Sequence, residues 1–186
     1  PNLFDKNWYD LNDIFSSAKS FPIWNDGESY VMSITAEAQT MFANQNMLDS
    51  IGAGVPTTFD ELLSTGKKLK SGDVAGVAMR SKADGSAGTW PCGGFVFSNG
   101  GVIIEDGKCL LDSPEAIEAV HYYGTILKEA GPLGVGNYHW YECLNDYMQE
   151  VSAIGLDSSN FATDIENPEK SNAAGHTTYG AMVSGP

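Results

Sequence analysis

Two helix starts written out residue by residue, each leading to an apolar run bounded by glycines, constrain this chain more than any other feature. In Val55-Pro56-Thr57-Thr58-Phe59-Asp60-Glu61 a T-x-x-E capping box sets Thr58 as N-cap, with Glu61 reaching back from the first turn. Phe59, Leu62, Leu63 and Leu69 then form one apolar stripe. Lys67, Lys68 and Lys70 stand at the negative end of the helix dipole, and Gly72 stops the helix. Ser113-Pro114-Glu115 is the second start, with Ser113 as N-cap and Pro114 at the first helical position. There Ile117, Val120, Tyr123 and Leu127 carry an apolar face to the stop at Gly131-Pro132. A third amphipathic helix begins at Trp140, where Trp140, Leu144, Tyr147, Met148 and Val151 recur at helical spacing.

Short apolar runs lie between these helices. Gly76 to Met79 and Ala153 to Leu156 read as buried strands, the second running into Asp157-Ser158-Ser159-Asn160. Val102 to Ile104 and Lys108 to Leu111 read as a hairpin turning at Asp106-Gly107, after an aromatic helix from Thr89 to Ser98 and a polar loop from Arg80 to Gly88. Nearer the start, Pro1 to Tyr30 reads as a short helix and a loop, with Phe4, Trp8, Tyr9, Phe15 and Trp24 among turn formers such as Asn25-Asp26-Gly27. Val31, Met32 and Ile34 then make a brief strand, and Thr35 is placed to cap a helix carrying Met41, Leu48 and Ile51. Helices alternating with short apolar strands predict an α/β layered domain, a short-stranded sheet flanked by helices.

Composition decides several questions of function class. The chain has 186 residues, 42% of them hydrophobic, which suffices for one substantial core and excludes a disordered tail. Ten Lys and Arg against 24 Asp and Glu give a formal charge of −14, which repels nucleic acid and anionic lipid surfaces. No apolar run is long enough to span a bilayer. Cys92, Cys109 and Cys143 are an odd set without C-x-x-C spacing, and each reads as a small buried hydrophobe. The start at Pro1, without an initiator Met or an apolar leader, sets the expectation of a piece of a longer protein whose export signal or lipid anchor lies outside it.

Signals for catalysis are weak. His121, His139 and His176 have no zinc-site spacing, the G-x-S-x-G elbow and the phosphate-loop pattern are absent, and no metal or cofactor is expected. Acidic pairs such as Glu142 with Asp146 read as solvated helix faces rather than a glycosidase dyad. The aromatic residues point elsewhere. Trp90 borders the glycine-rich polar loop, and Tyr138, Trp140 and Tyr141 cluster at a loop-to-helix junction, where a flat ring stacks on the apolar face of a sugar. Burial in the core is the competing role for both tryptophans. Asp157 ends a buried strand, where open α/β sheets place ligand groups; capping the next helix is its competing role. Arg80 also follows a strand and carries a fork of donors, against the commoner fate of a surface salt bridge.

Taken in order, several segments resemble the extracellular solute-binding proteins of ABC sugar importers, the family with maltodextrin- and polyol-binding members. The matching residues are Ala38-Gln39-Thr40-Met41-Phe42 with Asn44 to Leu48, the segments Val55 to Leu63 and Lys67-Lys68-Leu69, Gly100-Gly101, Asp112 to Ala116, and Tyr179 to Pro186. Trp140-Tyr141-Glu142 and Ile154 to Ser159 look most like the branch taking monosaccharides, sugar alcohols or short oligosaccharides. Two departures are Ala43-Asn44-Gln45, where the family usually has Tyr-Asn-Lys, and Gln149 to Ile154, where it has Gly-Lys-Ala-Ala-Met.

The resemblance implies a periplasmic-binding-protein-like lobe of type II. It places residues 1–34 as a hinge-proximal segment and remnant of the first lobe, 35–178 as the second lobe, and 179–186 as a return strand towards the hinge. It implies a ligand held by Glu37, Arg80, Trp90, Trp140 and Asp157, a carbohydrate or polyol cargo, delivery to a membrane permease, and no catalysis. An extracytoplasmic location, periplasmic or lipid-anchored, and a monomeric state are further implications. The competing expectations are a carbohydrate-active hydrolase domain and a scaffold module without a pocket.

Overall fold

A computed structural model of the chain describes residues 10–20, 22–24, 26–84 and 89–185. The chain divides into two compact units, Pro1–Glu37 and Ala38–Pro186. In the first, a single-turn 3-10 helix at Leu11–Asp13 is capped by Asp10, whose carboxylate accepts the Asn12 N–H, and α1 covers Ser16–Ser20. Of the sequence expectations for this unit, those on Phe4, Trp8, Tyr9 and Asn25 lie outside the described residues, as do Gly85–Gly88 of the polar loop and Pro186 at the chain end.

The second unit holds a four-stranded sheet. In chain order its elements are β1 Gln39–Asn44, α2 Gln45–Ser50, α3 Phe59–Leu69, β2 Ala75–Ala78, α4 Thr89–Ser98, the hairpin strands β3 Ile104–Glu105 and β4 Lys108–Cys109, α5 Pro114–Ala130, α6 Trp140–Met148, β5 Ser152–Ser158, α7 Ala162–Ile165 and β6 Thr177–Gly180. The sheet order is β2-β5-β1-β6, with β2 parallel to β5 and the other two pairings antiparallel. The mixed sheet has helices on both faces, the α/β layering that the alternation of elements predicts.

Alternation along the strands sorts the core into two layers. Met41, Ala43, Val77, Met79, Ile154 and Leu156 join Phe59, Leu62 and Leu69 of α3, Phe95 and Val96 of α4, and Ile126 and Leu127 of α5. On the other face Phe42 packs with Leu144 and Tyr147 of α6 and Ile165 of α7, its ring edge-on to Tyr147 at 4.7 Å. Gly155 makes this possible, because a Cβ there would overlap the Phe42 ring. Gly76 plays the same part between layers: a Cβ there would run into the Gly66 carbonyl of α3, so the helix lies directly on β2.

Helix starts form as their sequences dictate, with one shift. Thr58 and Ser113 accept the N–H groups of Glu61 and Ala116, and Pro114 opens α5. Glu61 reaches one residue beyond the N-cap and takes both the N–H and the hydroxyl of Thr57, each at 2.8 Å. Those bonds, the backbone one first, hold its carboxyl below the ordinary value of 4.5. The hairpin turns at Asp106 and Gly107, both with positive φ, as a type I′ turn requires.

Other expectations are corrected. Val31 and Ile34 are exposed and form no strand; the strand lies at Gln39–Asn44, where a helix from Thr35 was expected. Met41, Leu48 and Ile51 mimic helical spacing only because Met41 belongs to β1 and the other two to α2 and its cap. Asn44 ends the strand and caps α2, its side chain accepting the Met47 N–H at 3.1 Å. On α5 the buried stripe is Ala116, Ala119, Tyr123, Ile126, Leu127 and Ala130, while Ile117 and Val120 face solvent. Small alanines form the contact face there because α3 and α4 pack closely against α5. Cys109 is exposed on the hairpin, Cys143 is buried, Cys92 lies between, and all three are free thiols.

Two outcomes test this packing in urea unfolding. Gly76→Ala forces the α3–β2 layers apart and lowers stability by about 2–3 kcal/mol, whereas Gly124→Ala, in open space on α5, raises it by about 0.5–1 kcal/mol. The Glu61 cap has a pH signature. Because folding lowers its pKa, its stabilisation is present above pH 4.5 and is lost as pH falls through the folded value. Glu61→Gln therefore lowers the unfolding midpoint near neutral pH, and the gap from the parent narrows by about pH 3.

Candidate ligand-binding site

Arg80 follows β2 by two residues and Asp157 is the penultimate residue of β5, so the parallel pairing brings both to the carboxyl end of adjacent strands. Alternation puts them on the Phe42 face, beneath α6. Arg80 donates a two-pronged set of bonds: Nε to Oδ2 of Asp157 at 2.7 Å and Nη2 to Oδ1 at 2.5 Å. Oδ1 also accepts the Ser158 N–H at 2.7 Å. The Asp157 side chain is 1% exposed and that of Arg80 13%, so this ion pair is nearly withdrawn from water. Neither competing sequence role holds: Asp157 caps no helix, since Ser158 caps the 3-10 turn that follows, and Arg80 makes no surface salt bridge.

The backbone around Arg80 is fixed from two sides. Its carbonyl accepts the Tyr123 hydroxyl from α5, and the next two N–H groups, of Ser81 and Lys82, both donate to the Tyr138 carbonyl at 2.9 Å. The Ser81 hydroxyl donates to the Val135 carbonyl, which ties the loop after β2 to the segment before α6. Burial first and a hydrogen bond to Asp146 second push the Tyr138 phenol up to about 12. Burial likewise pushes up the Cys143 thiol of α6, where the charge of Asp157 adds to the effect and that of Arg80 opposes it.

Trp140 opens α6. His139 is the N-cap, its Nδ1 accepting the Trp140 N–H at 2.8 Å while Glu142 accepts the His139 N–H at 2.9 Å. The Trp140 ring is 41% exposed, edge-on to Tyr141 and tilted against Phe161 with centroids 6.0 Å apart. It does not head a buried stripe; Cys143, Leu144 and Tyr147 anchor the helix and leave Trp140 at its rim. Trp90, half-buried at the start of α4, lines a surface depression of about 660 Å³ with Gln39, Gly94, Phe97, Ile103 and Met182. Its carbonyl accepts the Gln39 amide, and Gln39 stands opposite Ser158 in the sheet, one residue from Asp157. The Trp90 indole N–H is buried and has no acceptor among the described residues.

Arg80 and Asp157 are thus joined directly. Trp140 reaches their edge of the sheet through Phe161, and Trp90 through Gln39. The depression at Trp90 is lined by neither Arg80, Asp157 nor Trp140. Glu37 is an exposed residue of the first unit, whereas the other four belong to the second. The pair Glu142 and Asp146 is occupied elsewhere, one in the α6 cap and the other by the Tyr138 hydroxyl. Sequence reasoning did not assign roles to Tyr123, Phe161 or His139. The order His139-x-x-Glu142 was the available signal, a capping box with a ring nitrogen in place of the usual hydroxyl.

A sequence profile of the bacterial extracellular solute-binding protein family matches residues 2–186, and the chain belongs to that family. No relative among curated protein sequences matches it. Solved structures that share the fold include the following three. The ABC transporter solute-binding protein from Agrobacterium vitis S4 with bound D-mannitol is 21% identical, with a TM-score of 0.85 over 95% of this chain and 43% of its own. That from Agrobacterium radiobacter K84 in complex with ribitol is 25% identical, with a TM-score of 0.83 over 95% and 45%. The maltose-bound MalE3 of T. maritima is 19% identical, with a TM-score of 0.88 over 98% and 47%. The chain therefore spans less than half the length of these proteins. Among the described residues no helix is long and apolar enough to cross a membrane.

Removing either half of the buried fork strands the other charge. Arg80→Ala and Asp157→Ala each lower stability by about 3–5 kcal/mol in denaturant titrations. The double variant loses distinctly less than the sum, and additive losses would remove the fork from the account of this site.

Proposed function

We propose that the chain is part of the substrate-binding component of an ABC importer that captures a carbohydrate or polyol outside the cytoplasmic membrane and hands it to a permease. The observation that carries this reading is the exposed Trp140 at the start of α6, the helix packed on β5, whose buried Asp157 is forked to Arg80 at the carboxyl end of adjacent strands. A flat ring beside fixed donors suits a ring or chain of carbons bearing hydroxyls. Family membership supports the role and the extracytoplasmic location. The mannitol, ribitol and maltose held by the structural neighbours support the cargo class.

On this reading residues 35–178 form one lobe, residues 1–34 a hinge-proximal segment, and residues 179–186 a strand returning towards the hinge. The ligand is held between this lobe and another, with Arg80, Trp90 and Trp140 of this lobe facing it and Asp157 behind Arg80. Lobe closure buries the solute and offers the permease a surface it distinguishes from the open form. On this reading nothing in the cycle is a chemical step, and the one acidic pair weighed as a glycosidase dyad, Glu142 with Asp146, is engaged in capping α6 and accepting from Tyr138. The intact protein functions as a monomer.

Calorimetric titration of the intact protein, both lobes present, with D-mannitol, ribitol, maltose and laminaribiose tests this reading. Saturable binding without turnover is expected, weakened about tenfold or more by Trp140→Ala through loss of ring stacking. Silence across the panel, or product formation, overturns it.

A further inference from the structure

The expectation for Asp157 was direct contact with ligand, and its geometry denies that. Three hydrogen bonds converge on its carboxylate, two from Arg80 and one from the Ser158 N–H, and 1% of the side chain reaches solvent. Arg80 is used differently. A guanidinium carries five N–H groups; Asp157 takes one on Nε and one on Nη2, and no described residue accepts from Nη1. The exposed share of the pair is therefore on the arginine, as 13% of its side chain. What remains available to a solute is a donor surface whose charge is already cancelled.

Resting on the proposal that the cargo is a polyhydroxylated solute, we infer that Asp157 is a positioning and specificity-determining residue that aims and neutralises Arg80, so the site selects uncharged polyols and sugars over the corresponding acids. Unpaired, Arg80 would be a cation in a low-dielectric setting and would draw a carboxylate strongly. Paired, it offers hydrogen bonds to hydroxyl oxygens without net charge. Glu142 and Asp146 of α6 share the surroundings of the Cys143 thiol with the pair, so further negative charge stands in its neighbourhood. Negative charge near the pair disfavours an anion there, since like charges brought together carry a penalty.

The test uses the intact protein with both lobes and three matched pairs, D-mannitol with D-mannonate, ribitol with ribonate, and maltose with maltobionate, each titrated by calorimetry. The parent protein is expected to bind the neutral member of at least one pair about tenfold or more tightly than its acid. Asp157→Asn, which leaves the cationic fork without its counter-charge, is expected to lower that ratio by about tenfold or invert it. Asp157→Glu retains the carboxylate and keeps the preference for the neutral member.

A parent protein that binds an acid as tightly as its neutral partner overturns the inference without any variant, so failure of Asp157→Asn to fold leaves it open to refutation. An unchanged ratio in folded Asp157→Asn also overturns it, while neutral binding by the parent keeps the transport reading. Binding of none of the six removes the polyhydroxylated-solute reading and the inference with it.

Discussion

Seven consecutive buried residues in one strand, Ser152–Ser158, hold the second unit together. β5 pairs in parallel with β2 on one side and antiparallel with β1 on the other, so every structural layer meets it. Its Ile154 and Leu156 serve the α3–α4–α5 layer, and its Gly155 yields to the Phe42 ring that meets α6. A strand so placed tolerates a buried hydroxyl such as that of Ser152, but a buried charge there needs a counter-charge. Asp157 is therefore tolerable only with Arg80 beside it, and Arg80 is beside it only because β2 runs parallel in the adjacent position.

That dependence couples the site to the core. The pair is weak evidence for stability in itself, since withdrawing two charges from water largely offsets their attraction. Its retention makes sense as geometry: the guanidinium is held at Nε and Nη2, its carbonyl by Tyr123, and the following N–H groups by Tyr138. The same Tyr138 leads into the His139–Glu142 cap from which Trp140 projects. Ring and fork are thus parts of one hydrogen-bonded frame on two loops, and their spacing is set before any solute arrives.

How legible the fold was in the sequence depended on whether the information was local. Capping residues act within a turn of their own position, so Thr58, Ser113 and the Asp106-Gly107 turn were readable, and the two helices start where expected, while the hairpin strands shrink to Ile104–Glu105 and Lys108–Cys109. The strand Gln39–Asn44 was not, because both its faces are buried and its residues show no alternation of polar and apolar character. The α5 face was misread for a related reason. Local spacing nominated the larger Ile117 and Val120, whereas close helix packing selected Ala116, Ala119 and Ala130.

The site was legible in membership but not in roles. Asp157 and Arg80 were both nominated because each follows an apolar strand, which is a local signal; that they bind one another depends on which strands are neighbours. Pairing across 77 positions changes what each residue can do. An aspartate only 1% exposed, with three hydrogen bonds on its carboxylate, has almost no surface to offer a hydroxyl, while an arginine with a free Nη1 still has donors. The sequence names the same two residues whichever one faces the cleft, and topology decides that it is the arginine. Trp140 follows the same logic: its spacing placed it on the apolar stripe, but the N-cap at His139 makes it the first residue of the helix and leaves it at the rim. Residue type and spacing thus select the candidates, while the hydrogen bonds that satisfy them in the folded chain assign their work.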